Sequence, residues 1–259
     1  VGEDFYPAYK LDNGHYFGFF VFPYNMDPKT FVPKVKVTDK AGNVGMASFR
    51  YQAIPKKFRE DKLNISDSFL ESKMPQYYDI ITDTRDNLQI YLRVNNDIRR
   101  QNSVFLKELA AKSAPTMLWD KKAFLRLPNA APRAGFGDHR TYLYQGKEID
   151  QQTHMGVDLA SLEGAPVPAA NSGKVVFTGF LGIYGETVII DHGMGLQTLY
   201  AHLRQIDAKV GQDIKKGDIL GKTGVSGLAG GDHLHFGVLV FGRETSPIEW
   251  WDQHWIDDN

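Results

Sequence analysis

Residues 233–240 read His-Leu-His-Phe-Gly-Val-Leu-Val, a pattern typical of a β-strand with one apolar face. Successive side chains of a strand point to opposite sides, so four apolar side chains of this stretch are expected to face a core together: Leu234, Phe236, Val238 and Val240. His233 and His235 then lie side by side on the other face. A pair of this kind is found on ordinary polar surfaces as well as in functional sites.

Further short apolar stretches precede this one, and glycines separate them. They predict strands at residues 174–178, 186–191, 195–203, 218–221 and 233–241. Pro247 is expected at the first turn of a short closing helix. Residues 129–259 are therefore predicted to form an antiparallel β domain with glycine turns, and the whole chain to be mainly β.

The first 55 residues carry a different β pattern, in which short apolar runs alternate with turn residues. The runs are residues 16–22, 32–37 and 46–51, and prolines at positions 23, 28 and 33 separate them. The turn Asp39-Lys40-Ala41-Gly42-Asn43 before the last run resembles the end of a bacterial immunoglobulin-like module. Too few strands are present for a complete sandwich, so residues 1–55 are predicted to be a partial immunoglobulin-like segment.

Residues 56–128 are predicted to be a helical linker region. Apolar residues recur at helical spacing from Ile90 to Ala110, and the helix is expected to stop before Pro115. Ser68 and Glu71 have the spacing of a capping box. The basic residues of this region are expected to form a solvated helix face.

Composition excludes several classes of site. The 259 residues contain 30 Lys and Arg, 31 Asp and Glu and no Cys, so thiolate metal sites, disulfides and a cysteine nucleophile are excluded. The net charge of −1 gives no general attraction to nucleic acid, and no nucleic-acid partner is expected. No apolar run reaches about 18 residues, so no integral membrane segment is expected in this chain. The chain begins at Val1 without a basic, apolar leader, as expected if a signal peptide or other upstream segment was removed.

Histidines cluster in the C-terminal part. Five of the eight lie between residues 154 and 235, and His154 is followed four residues later by Asp158. Strand alternation places His202 on the same face as Leu196, Thr198 and Tyr200. A catalytic zinc site needs three protein ligands and one open position. His154, Asp158 and one of His233 and His235 meet that count without cysteine.

These residues, in this order and spacing, resemble the lysostaphin-type (LytM-domain) zinc metallopeptidases. The resemblance covers about residues 135–240 and includes further stretches that agree with the family: Gly164-x-Pro166-Val167-x-Ala169, Tyr184 to Gly193, Tyr200-Ala201-His202-Leu203 and Val210 to Gly221.

The resemblance implies a fold, a cofactor, a substrate and a role for five residues. The family fold is a compact antiparallel β structure, the duplicated hybrid motif. His154, Asp158 and His235 match the ligands of one Zn²⁺ per chain, and His202 and His233 match the two catalytic histidines. The expected activity is a metalloendopeptidase acting on peptides of bacterial peptidoglycan, in the periplasm or elsewhere in the cell envelope. His192 matches a position without a catalytic role, and we expect it to be structural. No role is assigned to His139 or Arg140.

Two other functions are compatible with parts of the pattern. One is a non-catalytic LytM-like module that binds wall peptide or activates an amidase. The other is a phosphocarrier of the glucose-permease type, which also uses paired histidines but has no use for Asp158. The glycine-rich run at residues 224–232 is expected to form a flexible groove wall, because the Lys-Ser/Thr of a phosphate-binding loop does not follow it.

The two parts of the chain differ in charge. Residues 1–128 hold 20 basic and 15 acidic side chains, whereas residues 129–259 hold 10 and 16. This difference favours contact between the parts. Two roles are open for the first 128 residues: they act as a spacer and docking arm, or, as the charge difference favours, they lie over the groove and restrain the enzyme.

Overall fold

The computed structural model describes residues 5–27, 29, 32–49, 51 and 54–258. Within the predicted 1–55 segment, the positions outside the described ranges are residues 1–4, 28, 30, 31, 50, 52 and 53, which include Val1 and Pro28. The strands, in chain order, are β1 (Tyr9–Lys10), β2 (Tyr16–Phe17), β3 (Lys34–Thr38), β4 (Val44–Ser48), β5 (Glu60–Ile65), β6 (Ala131–Ala134), β7 (His139–Tyr144), β8 (Lys147–Thr153), β9 (Val157–Ala160), β10 (Pro166–Pro168), β11 (Gly173–Phe180), β12 (Glu186–Gly193), β13 (Leu196–Ile206), β14 (Asp213–Ile214), β15 (Ile219–Thr223), β16 (Leu234–Val240) and β17 (Arg243–Thr245).

Helices occur in the middle and at the end of the described chain. They are α1 (Asp67–Lys73), α2 (Asn87–Arg93), α3 (Arg99–Ala110), α4 (Pro247–Trp250) and α5 (Gln253–Asp258). A 3₁₀ turn (Met74–Tyr77) follows α1, a π-helical turn (Val94–Ile98) joins α2 to α3, and a second 3₁₀ turn (Gly182–Tyr184) precedes β12. None of the helices within the described ranges is long and apolar enough to cross a membrane.

A ten-stranded antiparallel sheet forms the centre of the molecule. Its main path is β14-β11-β12-β13-β16-β9-β6, with β10, β15 and β17 paired at its sides. The apolar face of β16 packs as expected, because Leu234, Phe236, Val238 and Val240 are all buried in one core cluster. The mainly β, antiparallel fold class is therefore confirmed, and the predicted strands of the C-terminal part all occur within a few residues of their expected bounds.

The N-terminal residues form two separate hairpins, β1-β2 and β3-β4. The predicted turn between β3 and β4 is present: Asp39 Oδ1 accepts hydrogen bonds from the amides of Ala41 and Asn43, each at 2.8 Å. Gly42 has φ +88°, a conformation that favours glycine. The assignment of residues 1–55 to an immunoglobulin-like segment stays a prediction.

The helical region begins with a strand. Residues 60–65 form β5, which pairs in parallel with β7, so the expectation of helix from residue 56 is wrong there. The predicted capping box is also wrong, because Ser66 is the residue that caps α1, with its side chain accepting from the amide of Phe69 at 3.1 Å. The predicted helix from 90 to 110 is present, although a π-helical turn divides it.

The helices pack directly on the sheet. Met74, Tyr77 and Ile90 are fully buried in a second core cluster that also contains Ile189 and Leu199 of the central strands. The helical region is therefore built into the same packed body as the sheet and is not a detached spacer. The boundaries of the predicted segments at residues 55 and 128 stay a prediction.

His192 is a buried structural residue. Its Nδ1 lies 2.7 Å from the backbone oxygen of Ser172, and its Nε2 lies 2.8 Å from Thr198 Oγ1. A carbonyl oxygen only accepts, so Nδ1 carries the proton and Nε2 accepts one from the hydroxyl. Burial lowers the pKa of His192 to about 4, which means that the folded protein holds this ring neutral.

This burial predicts an acid-dependent loss of stability. The unfolded chain binds a proton at His192 near pH 6.5, whereas the folded chain does so only near pH 4. The free energy of unfolding should therefore fall by up to about 3 kcal/mol as the pH decreases through this window. Urea unfolding of wild type and His192→Gln, measured from pH 7 to pH 4.5, should show a flatter pH dependence in the variant. The exposed His254→Gln serves as the control, and equal slopes in wild type and His192→Gln would contradict the expectation.

Candidate metal and catalytic site

Three side chains of the histidine cluster meet at one point beside the central sheet. His154 Nε2 lies 2.9 Å from Asp158 Oδ1 and 3.0 Å from His235 Nδ1. His235 Nδ1 lies 2.9 Å from the same carboxylate oxygen. All three residues are buried, and their ligating atoms lie within 4.8 Å of one another.

Strand register brings these residues together. Asp158 in β9 lies directly opposite His235 in β16, and His154 follows the end of β8. The loop into β9 passes close to β16 at Gly156, where an added Cβ would lie 2.5 Å from His235 Nε2 and 2.8 Å from the Phe236 carbonyl oxygen. Only glycine fits this close approach, which lies where the chain enters β9.

The three atoms have the donor set of a metal site. His154 Nδ1 donates to the carbonyl oxygen of Gly135 at 2.8 Å, so in the neutral ring Nε2 carries a lone pair toward Asp158 and His235. When both imidazole rings are neutral and Asp158 is ionised, His235 Nδ1 is the one atom of these three that can carry a proton. At most one proton therefore lies among His154 Nε2, Asp158 Oδ1 and His235 Nδ1. Lone-pair atoms crowded in this way fit a divalent cation, and two imidazoles with one carboxylate suit Zn²⁺.

Arg140 completes the environment of the carboxylate, and the sequence alone did not single it out. Its Nη2 lies 3.0 Å from Asp158 Oδ2, the oxygen that faces away from the two imidazoles. One carboxylate oxygen is thus paired with a guanidinium while the other faces the histidines. Groups that orient a metal ligand in this way support both its position and its ionised state.

His202 and His233 stand beside the three-residue cluster. The ring centroid of His202 lies 4.9 Å from that of His233 and 5.8 Å from that of His235. His233 Nε2 lies 3.5 Å from Asp158 Oδ1. The structure therefore brings all five predicted residues together, and His233 and His235 share a face as expected.

A bulge places His202 on this face. Glu186 and Val188 of β12 lie opposite Leu203 and Tyr200 of β13, so β13 has one extra residue between these pairs. His202 adopts φ +62°, which is rare for a side chain with a Cβ. The expected common face of His202 with Tyr200 is wrong, because the extra residue turns His202 toward His233 while Tyr200 stays in the core.

Both of these histidines have their Nδ1 atom fixed by a carbonyl group. His202 Nδ1 donates to the backbone oxygen of Ser226 at 2.9 Å, and His233 Nδ1 donates to that of Gly231 at 2.8 Å. The remaining nitrogen of each ring, Nε2, is therefore a proton acceptor in the neutral state.

The electrostatics favour an ionised Asp158 carboxylate beside neutral His202 and His235 rings. Burial lowers the pKa of His202 well below its ordinary value and that of His235 to about 4. Burial also acts to lower the pKa of His233, but the hydrogen bond and charge of Asp158 outweigh it and raise this pKa. Burial acts to raise the pKa of Asp158, yet the neighbouring His154, together with His233 and His235, holds it well below its usual range.

Comparison with known proteins shows a family match over this region. Residues 152–247, which include all five of these residues, match the model of peptidase family M23. Residues 152–247 are called the M23 domain, after the family model that they match. The resemblance to lysostaphin-type peptidases is thereby confirmed.

Curated relatives of this chain have names that specify carboxypeptidase or endopeptidase activity. The DD-carboxypeptidase/endopeptidase Mpg of Neisseria meningitidis serogroup B is 37% identical over 95 residues, which are 37% of this chain and 22% of that protein. The peptidoglycan DD-endopeptidase ShyB of Vibrio cholerae is 35% identical over 133 residues, 50% of this chain and 30% of that protein. The chain thus spans less than a third of the length of these relatives.

One solved structure shares the fold over most of the chain. It is described as an M23 peptidase from Pseudomonas aeruginosa, and it is 21% identical with a TM-score of 0.53. The match covers 86% of this chain and 74% of that one, and so extends the fold similarity beyond the M23 domain.

The arrangement around Asp158 predicts that Arg140 supports metal binding. Arg140→Leu leaves Asp158 Oδ2 without its guanidinium partner, so the zinc dissociation constant should rise by about 10–100-fold. Competition with a chromophoric chelator measures this constant. Arg93→Leu removes an exposed Arg–Asp pair of the helical region and should leave it unchanged. Wild-type zinc affinity in Arg140→Leu would contradict a supporting role.

Proposed function

We propose that the protein is a zinc-dependent endopeptidase that hydrolyses peptide bonds of bacterial peptidoglycan, in cross-links or stem peptides. The observation that carries this proposal is the convergence of His154, Asp158 and His235 beside two further histidines in an M23 domain. The relatives whose names specify peptidoglycan DD-endopeptidases support the substrate class. Such a substrate implies action in the periplasm or elsewhere in the cell envelope.

In this proposal His154 Nε2, Asp158 Oδ1 and His235 Nδ1 hold one zinc ion per chain. Zinc supplies Lewis-acid polarisation of the scissile carbonyl and lowers the pKa of water to about 7. Arg140 holds the Asp158 carboxylate in place and in its ionised form. The hydrogen bond from His154 Nδ1 to the Gly135 carbonyl directs the free nitrogen of that ring toward the same point.

His202 and His233 supply the proton transfers. Because carbonyl groups fix both Nδ1 atoms, each ring presents Nε2, which accepts a proton when neutral and donates one when charged. Hydrolysis of a peptide bond requires a proton to leave the attacking water and a proton to reach the departing amine. Two adjacent imidazoles of the same tautomer can provide both, and the charged one can stabilise the oxyanion.

The complete set of five side chains supports an enzyme over a non-catalytic module. A module that only binds wall peptide or activates an amidase has no requirement for two ordered imidazoles beside a metal-ligand set. The bulge and left-handed backbone at His202 point the same way, because strained backbone of this kind is concentrated at functional sites.

Substitutions separate metal binding from proton transfer. His154→Ala, Asp158→Ala and His235→Ala should each remove zinc, measured by elemental analysis, and reduce peptidoglycan hydrolysis to background. His202→Ala and His233→Ala should retain one zinc per chain while lowering kcat by about 10²–10⁴-fold. Release of fragments from purified peptidoglycan, followed by mass spectrometry, measures the activity and identifies the bond that is cleaved.

The exposed His15→Ala is the control for the loss of an imidazole and should behave as wild type. Loss of zinc from His202→Ala as readily as from His235→Ala would overturn the assigned roles. Zinc-loaded wild type that leaves peptidoglycan and its defined peptides intact would overturn the proposed activity.

A further inference from the structure

The His202 ring forms a hydrogen bond to a backbone carbonyl that belongs to a glycine-rich loop. The acceptor of its Nδ1 proton is the backbone oxygen of Ser226, at 2.9 Å. Ser226 lies in the run 224–232, of which Gly230 and Gly231 border open space. Glycine-rich chain has high conformational entropy, so the position of this carbonyl must be fixed by contacts on either side.

One set of contacts comes from the M23 domain itself. Ser226 Oγ donates to the backbone oxygen of Leu203 at 2.8 Å and accepts from the amide of Glu186 at 2.9 Å. The loop also lies directly against Gly185, where an added Cβ would come within 2.4 Å of the Ser226 and Gly227 backbone. These contacts hold the loop from the side of the sheet.

A second set of contacts comes from the helical region, outside the residues that match the family. The amide of Gly227 donates to Gln76 Oε1 at 2.9 Å, and Lys73 Nζ donates to the backbone oxygen of Val225. Thus the peptide groups on both sides of Ser226 are held by two side chains from the end of α1 and the following 3₁₀ turn. Gln76 Nε2 also donates to the Lys73 carbonyl at 3.2 Å, which fixes the orientation of the amide.

The end of α1 and the following 3₁₀ turn, which carry these side chains, are anchored in the core. Met74 and Tyr77, which lie between and beside them, are fully buried in the second core cluster. Tyr77 also donates its hydroxyl hydrogen to the Gly182 carbonyl at 3.2 Å. Lys73 and Gln76 therefore extend from a fixed support to the part of the loop that carries the Ser226 carbonyl.

We infer that Lys73 and Gln76 are positioning residues for His202, acting through the Val225–Gly227 segment of the loop. The helical region thereby completes the active site of the M23 domain. This inference rests on the proposed function for its effect on the reaction. Its effect on the His202 ring is independent of that function and can be observed directly.

The decisive variant is Gln76→Leu in the full chain, because it removes the acceptor for the Gly227 amide at similar side-chain size. Its kcat on a defined muropeptide should fall about tenfold, since small displacements of a catalytic group have large effects on rate. Its KM should change by less than about twofold, because the side-chain hydrogen bonds of Gln76 go to the Gly227 amide and the Lys73 carbonyl. Its zinc content should remain at one per chain.

Nuclear magnetic resonance with ¹⁵N-labelled histidine provides the second measurement. In wild type the Nδ1 proton of His202 should give a slowly exchanging signal, because the Ser226 carbonyl accepts it. In Gln76→Leu this signal should broaden or disappear, whereas the signal of His192 should be unchanged. A residue with a purely structural role would lower the melting temperature without moving the His202 signal.

Three variants complete the test. Gln76→Glu keeps an acceptor oxygen and should restore kcat to within about threefold of wild type. Gln101→Leu makes the same exchange at an exposed position of α3 and should leave kcat and the His202 signal unchanged. Lys73→Met removes the other contact and should lower kcat in the same direction, which tests the inference even if Gln76→Leu fails to fold.

The results separate this inference from the proposed function. Wild-type kcat in folded Gln76→Leu, or a reduced kcat with an unchanged His202 signal, would overturn the positioning role. If zinc-loaded wild type itself cleaves no wall peptide, the proposed function fails. The His202 signal then decides the positioning role alone: its loss in Gln76→Leu supports the role, and its persistence overturns it.

Discussion

The Asp158 carboxylate is the group around which the site is organised. Its Oδ1 lies 2.9 Å from both His154 Nε2 and His235 Nδ1, and its Oδ2 pairs with Arg140. Such a concentration of lone pairs in a buried site is stable only if a positive charge or a proton offsets it. Three features of the fold bring partner side chains to this carboxylate. They are the register between β9 and β16, the close approach at Gly156 and the position of β7 beside β8.

The site draws on more of the chain than the family domain. Strand β7, which carries Arg140, pairs with β5 from the predicted helical region, and the 3₁₀ turn after α1 reaches the loop that orients His202. Shared burial of Met74 and Tyr77 with residues of the central sheet makes these connections rigid. A first part of the chain that served only as a spacer, or only as a cover, for the M23 domain would not explain these contacts.

Much of this arrangement could be predicted from the sequence, for identifiable reasons. The alternation in residues 233–240 set the two faces of β16, and the histidines and Asp158 carried the family resemblance. The bulge at His202 could not be predicted, because it depends on the register with β12, which local alternation does not record. Strand β5 has the sequence Glu-Asp-Lys-Leu-Asn-Ile, too polar to suggest a strand until its pairing with β7 is known. The roles of Arg140 and Gln76 depend likewise on contacts between residues distant in sequence.

The central claim is that one zinc ion is held by these three side chains. Crystals of the full chain grown with zinc, with diffraction recorded on both sides of the zinc absorption edge, test it most directly. The predicted result is a single anomalous peak bonded to His154 Nε2, Asp158 Oδ1 and His235 Nδ1, with His202 and His233 close by but not bonded to it. The absence of a peak at these atoms in zinc-loaded protein, or a peak at other residues, would contradict the claim.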